Sequence, residues 1–433
     1  MVQSSHTKRQ NQRLRSHHIK GDPMLSESIK NTLTKHHQER LLSYLATADK
    51  KDRNSLLEQI GGIDWFFLTE LEKKKSGAAG TEDYYAPVKA LTLSDIRSDE
   101  DRFRETGVSA IRDGRLGLLL LAGGQGTRLG YDKPKGCFNM GIDRDLFIFE
   151  LLIEHTMDVV RETGCFIPLF IMTSDINYGD TVWFFEEHNF FGYDPSYIHF
   201  FKQELYPVTD FNGQLLLQEP GLLALSPNGN GGWFSSMEKA GLLPKLKELG
   251  IDWLNVFSVD NVLQRIGDPV FLGATIESGK ACGAKVVYKN APDERVGAIC
   301  TKNGHPYIIE YYELSEEMQN ERTEAGTLSY GYGVILNYLF PVNKLKATLT
   351  DRMPLHIVEK KVPYIDETGV LVTPDRPNAY KYETLALDLI AKMDDCLVFE
   401  VEREKDFAPV KNATGVDSVD TARELLRKNG YAL

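Results

Sequence analysis

The stretch that most constrains this chain is a short apolar run that ends in glycines. Leu116 to Ala122 is continuously hydrophobic, and Gly123, Gly124, Gly126 and Gly130 follow at once. The run is too short to span a membrane and fits a strand buried on both faces. Glycines at its C-terminal end let the backbone approach a ligand closely and turn through positive φ. Arg128 and Lys135 come next. Two cations beside such a turn suit a ligand rich in phosphate oxygens.

The pattern around this run indicates an α/β fold. Buried-strand segments (167–172, 198–201, 253–259, 284–288) alternate with helical periodicity over 146–163, 180–188, 233–249 and 269–278. Such alternation predicts a mostly parallel twisted sheet, Rossmann-like, with helices on both faces. Ligands in these sheets bind beyond the carboxyl ends of the strands. The glycine loop falls at one such end, and Val259-Asp260-Asn261 falls at another. Asp260 there is either a metal-binding carboxylate or a helix cap.

Spacing excludes two familiar phosphate loops. A P-loop requires Lys followed by Ser or Thr after its second glycine, and none is present. The dinucleotide fingerprint G-x-G-x-x-G fails because Leu129 occupies the third glycine position and Gly130 is one residue late. What stands here, L-A-G-G-x-G-T-R-L-G-x-x-x-P-K, resembles the signature of sugar-nucleotide pyrophosphorylases, which join a nucleoside triphosphate to a sugar 1-phosphate.

Composition narrows the partners. With a net charge of −12 over 433 residues, nucleic acid is not expected as a partner, and a polyanionic ligand must be held by a local cationic pocket. The five cysteines are scattered, odd in number and without a C-x-x-C pair, so neither a disulfide framework nor a zinc site is expected. No apolar run has the length of a membrane helix, and a cytoplasmic protein without a membrane partner is expected. Residues 1–23 carry basic residues and almost nothing apolar, and read as a disordered tail. A helical region over 24–110, a central α/β domain over 111–390 and a small C-terminal domain over 391–433 complete the expected organisation. His36 and His37 are adjacent on a predicted helix, where neighbours face apart, so they read as structural.

Further motifs follow in order: Ser226-Pro-Asn-Gly-Asn-Gly-Gly232, Phe257-Ser-Val-Asp-Asn-Val-Leu263, Glu294-Arg-Val-Gly-Ala298, Ile309-Glu-Tyr-Tyr-Glu-Leu314, Pro374 to Lys381, and Phe407-Ala-Pro-Val-Lys-Asn412. The series resembles the eukaryotic UDP-N-acetylhexosamine pyrophosphorylases over residues 26 to 430. The resemblance implies a uridylyltransferase that joins UTP and N-acetylglucosamine 1-phosphate, releasing pyrophosphate, with Mg²⁺ as cofactor. It implies that Gly123, Gly124, Gln203, Gly229 and Asn230 hold the nucleotide. Asn230, Gly297, Glu310, Tyr311 and Lys411 would hold the sugar phosphate, Asp260 the metal, and Arg128, Lys135 and Lys381 the reacting phosphates.

One stretch departs from that pattern. The family carries N-A-G-N where this chain has Gly331-Tyr332-Gly333-Val334, and valine cannot replace the last asparagine's hydrogen bond to the sugar. Loss of one polar contact can change discrimination between sugars by a large factor. A UDP-glucose or broad-specificity enzyme and a non-catalytic UDP-sugar-binding relative are the alternatives. The implied reaction needs no general base, because a phosphate oxygen is already anionic. It needs positioning and charge stabilisation instead.

Overall fold

Leu116–Leu121, the apolar run of the sequence, is a strand buried along its whole length. In the computed structural model, which describes residues 26–76, 83–366 and 368–433, it lies inside a ten-stranded sheet. The expected tail over 1–23 lies outside the described residues. Along the chain the strands of this sheet are β1 (Tyr85–Pro87), β2 (Leu116–Leu121), β3 (Leu169–Thr173), β4 (Ile198–Lys202), β5 (Trp253–Ser258), β6 (Gly283–Tyr288), β7 (Ala298–Lys302), β8 (His305–Ile309), β9 (Tyr332–Pro341) and β10 (Leu397–Glu400). Their spatial order is β1-β7-β9-β5-β2-β3-β4, with β8 on β7, and β6 joining β9 to β10.

The run β5-β2-β3-β4 is parallel throughout. The long β9 is antiparallel to β5, β6 and β7, and β6 and β10 pair in parallel. Side chains alternate across β2, as a pleated strand requires. Leu116, Leu118 and Leu120 enter one core with Phe103, Leu152 and Phe271 from helices Leu93–Arg112, Ile148–Thr163 and Pro269–Ser278. Leu119 and Leu121 enter the opposite core with Trp233, Met237, Leu246 and Leu389. Helices therefore cover both faces, which explains a strand with no polar side.

The segment expected as one helix over 233–249 is two, Trp233–Lys239 and Leu243–Glu248. Gly241 takes a left-handed φ of 72° between them, and Pro244 in the first turn of the second helix supplies no N–H. The other predicted strands and helices of this region form within two residues of their expected bounds.

The chain divides into two compact units. The larger comprises 73–206, 225–359 and 381–433 and contains the sheet. The smaller takes in the described residues up to Glu72 with Pro207–Ala224 and Lys360–Tyr380. Each gathers segments far apart in sequence. Within the smaller unit, Leu33, Leu41, Leu45, Leu56 and Ile60 are buried on successive short helices. Buried Gln38 ties these helices to a distant loop, donating to Gly213 O at 2.9 Å and accepting from Leu215 N at 2.8 Å. His36 stacks on Trp65 with ring centroids 4.5 Å apart, a packing role.

Candidate active site

Because β2 and β5 are parallel neighbours with Leu121 opposite Ser258, the loops that leave them emerge side by side. The first is the glycine loop, and the second carries Asp260. Lys135 from the first meets Asp260 from the second, Nζ to Oδ1, at 2.6 Å. The lysine is buried while Asp260 is partly open, and its other carboxylate oxygen makes no hydrogen bond among the described residues. Lys135 N also donates to Gly124 O at 3.1 Å, so this lysine ties the glycine loop back on itself through its backbone and to the Asp260 loop through its side chain.

The turn of the loop is held from below. Asn177, fully buried at the start of helix Tyr178–Glu187, donates through Nδ2 to Gly123 O and Gly124 O, each at 3.0 Å. Gly126 N donates to Lys133 O at 3.0 Å. Leu129 is buried and anchors the short turn Thr127–Leu129, leaving Arg128 exposed. Arg128 makes no ion pair or hydrogen bond among the described residues. Asn177 was not legible in the sequence, since an isolated asparagine after a strand carries no motif. Asn177→Ala is expected to lower stability by about 1–3 kcal/mol, because it removes the side-chain donor to Gly123 O and leaves Gly124 O with Lys135 N alone. Thermal unfolding and the KM for nucleotide would both report it.

Gln203, at the end of β4, reaches across the same strand ends. Its Nε2 donates to Gly229 O at 2.5 Å, and a Cβ on Gly123 would lie 2.9 Å from its Oε1. Three of the expected nucleotide residues, Gly123, Gln203 and Gly229, are thus brought together. Gly124 lies on the open side, where an added Cβ would meet nothing within 4 Å.

Six more expected residues line one cavity of about 270 Å³: Asn230, Asp260, Gly297, Glu310, Tyr311 and Lys411. Val334, from the departing stretch, is in the same wall, with Ile335, Leu336 and Phe407. Its backbone N donates to Gly297 O at 2.9 Å, so its place beside Gly297 is fixed by the sheet. Leu336 holds a φ of 54°, an unusual conformation for a branched side chain, and β9 shifts register against β6 in this region. Burial raises the Glu310 carboxyl above the ordinary range and Glu313 adds to this, while His356 and Lys411 pull it down.

The segment bearing Lys411 is clipped onto the loop bearing Asp260. Val410 N donates to Asp260 O at 2.8 Å, Ala408 N to Asn261 Oδ1 at 2.8 Å, and Asn261 Nδ2 to Asp406 O at 2.7 Å. Beneath them, fully buried Lys285 sits 2.9 Å from Asp268 and 3.7 Å from Asp406. Lys411 itself pairs with Asp417 at 3.0 Å.

Arg128, Lys135 and Lys381 are not among the residues that line the cavity. Lys381 is half-buried on the strand Ala379–Glu383, with no ion pair among the described residues. A larger cavity of about 590 Å³, lined by Arg40, Tyr44 and Gln214, belongs to the smaller unit and holds none of the expected residues. Among the described residues there is no group of three or more His, Cys, Asp or Glu side chains arranged to hold a metal ion.

Residues 72–423 match the family described as UTP–glucose-1-phosphate uridylyltransferase. The chain belongs to that family. Among its relatives, the human UDP-N-acetylhexosamine pyrophosphorylase-like protein 1 is 35% identical over 94% of this chain and 84% of its own length. The UDP-N-acetylglucosamine pyrophosphorylase of Saccharomyces cerevisiae is also 35% identical, over 92% of this chain and 86% of its own. The crystal structure of the uridine diphosphate N-acetylglucosamine pyrophosphorylase from Trypanosoma brucei, in complex with an inhibitor, superposes with a TM-score of 0.76. It is 27% identical and covers 93% of this chain and 85% of that one.

Proposed function

We propose that this chain joins UTP and N-acetylglucosamine 1-phosphate to give UDP-N-acetylglucosamine and pyrophosphate. The observation that carries the reading is the single cavity that gathers Asn230, Asp260, Gly297, Glu310, Tyr311 and Lys411 beside the loops at the carboxyl ends of β2 and β5. Membership of the uridylyltransferase family and the names of its 35%-identical relatives support the same assignment.

In this reading Gly123, Gly124, Gln203 and Gly229 grip the nucleotide through backbone groups and one side-chain amide. Arg128 offers a planar fork to the departing pyrophosphate, and Lys135 and Lys381 offset charge at the reacting phosphates. Asn230, Gly297, Glu310 and Tyr311 position the sugar, and Lys411 faces its phosphate. Asp260 is the residue that would hold Mg²⁺. The ion takes one or two carboxylates and completes its shell with phosphate oxygens and water, so one carboxylate with a free oxygen fits it. When bound, the ion would neutralise phosphate charge. No helix among the described residues is long and apolar enough to cross a membrane. The five cysteines are free thiols, which supports a cytoplasmic setting.

Val334 favours one further reading within the same class, acceptance of glucose 1-phosphate, because the wall it forms offers no amide to an N-acetyl group. A pyrophosphate-release assay with UTP and Mg²⁺, run with N-acetylglucosamine, N-acetylgalactosamine and glucose 1-phosphates, separates the two. Preference for the N-acetylated sugars is expected. Preference for glucose 1-phosphate would overturn the substrate assignment, and silence with all three would leave a binding protein.

A further inference from the structure

The sugar cavity has a wall whose support lies outside it. Leu385, Ala386 and Leu387 form that wall. On one side the segment is gripped by the Pro227–Gly232 loop: Thr384 N donates to Asn228 O at 2.7 Å, Gly231 N to Thr384 O at 2.9 Å, and Ala386 N to Asn230 Oδ1 at 2.9 Å. On the other side the wall's carbonyls accept from the helix that follows, Asp388 N to Leu385 O at 3.0 Å, Leu389 N to Ala386 O at 3.3 Å and Ile390 N to Leu387 O at 3.1 Å, and one carboxylate oxygen holds its first N–H. Asp388 Oδ2 accepts from Leu385 N at 3.1 Å and meets His356 Nε2 at 2.9 Å. The Asp388 side chain is only 7% exposed, so this oxygen has little water to fall back on.

We propose that His356, acting through Asp388, is a positioning residue that holds the Leu385–Leu387 wall and sets the affinity for the sugar 1-phosphate. The inference rests on the reading of this cavity as the sugar site. The groups facing the imidazole are acidic: Asp388 from the helix Asp388–Ala391, and Glu310 and Glu313 from the turn after β8. Lys411 faces Glu310 from the C-terminal segment. The hydrogen bond to Asp388 raises the imidazole's pKa, burial opposes this, and the charges of Asp388, Glu313 and Glu310 raise it further; the net is upward from the ordinary 6.5.

The sign follows. A raised histidine keeps its charge to higher pH than a free imidazole and loses it as pH climbs through the raised value. Asp388 then loses its charged partner, and Lys411 is left to offset the field of Glu310 where a phosphate must bind. KM for the sugar 1-phosphate is expected to rise on the alkaline side, while kcat and the KM for UTP do not follow it.

The test compares the full chain with His356→Gln, which keeps a donor but no charge, and with Asp388→Asn, from pH 6 to 9. Substrate ionisation is common to all three and cancels. In His356→Gln the sugar-phosphate KM is expected to be roughly 3- to 10-fold higher at pH 6, where the wild-type ring carries its charge, and to lose the alkaline rise. KM profiles that run parallel in wild type and His356→Gln, or a fall confined to kcat, would overturn the proposal. NMR titration of the His356 ring without substrate gives a second readout. A midpoint above 6.5 that drops in Asp388→Asn is expected, and equal midpoints would overturn the pairing whatever the turnover. Absence of turnover in the wild type would overturn the sugar-site reading and leave the ring titration to judge the pair.

Discussion

Gly229→Ala is expected to destabilise the protein by about 3 kcal/mol or more and to abolish tight UTP binding. Gly229 holds φ 83° and ψ 164°, a region essentially confined to glycine. Space is also lacking. A Cβ there would lie 2.1 Å from Thr384 O and 2.7 Å from Thr384 N, and backbone atoms cannot yield as a side-chain tip can. Those two atoms are the ones that pair with Gly231 and Asn228, so relief of the clash breaks the ladder between the two segments. The same shift withdraws Gly229 O from Gln203. Urea or thermal unfolding measures the first effect and nucleotide titration the second. Gly124→Ala is the control, because its Cβ would enter open space. It is expected to melt with the wild type and to lose UTP affinity alone, by obstructing the nucleotide. A Gly229→Ala protein that melts like wild type would refute this account of the loop.

Arg128→Ala is expected to lower kcat by about 10²–10³ while leaving the fold intact. Buried Leu129 anchors the turn Thr127–Leu129, and the exposed guanidinium has no partner among the described residues. Truncation therefore removes no contact on which stability depends, and the melting temperature is expected to stay within about 2 °C. In a chain of net charge −12, an arginine left unpaired on a glycine loop is poised for an anionic ligand. Arg128→Lys is expected to recover only part of the rate, since an ammonium lacks the planar fork that engages two phosphate oxygens. Turnover of Arg128→Ala within a few-fold of wild type would remove the residue from the reacting centre.

The contrast between these two positions shows what can be read along a chain. Arg128 is legible because its role depends on local order: an apolar run, a glycine turn, then a cation. Gly229 is legible as a turn residue, but the reason it tolerates nothing else is Thr384, 155 positions away in the sequence. The break of 233–249, expected as one helix, into two was missed for a local reason, since the hydrophobic period continues across a glycine that turns the backbone left-handed.

Sequence alone determined the doubly covered strand β2, since a run without polar positions can only be buried on both faces. It also determined the place of the glycine loop and of Asp260 at strand ends, and the set of residues that carry the family pattern. Tertiary structure decided the partners. Lys135 closes on Asp260, Asn177 holds the turn, and Asp388 with His356 braces a wall built from another part of the chain. Val334 and Leu336 enter the cavity that holds Asp260 and Glu310 through the path of β9. The physical reason is common to all of these. Periodicity and turn chemistry are local properties, whereas a hydrogen bond between residues 125 or 32 positions apart exists only once the sheet has set the register of its strands.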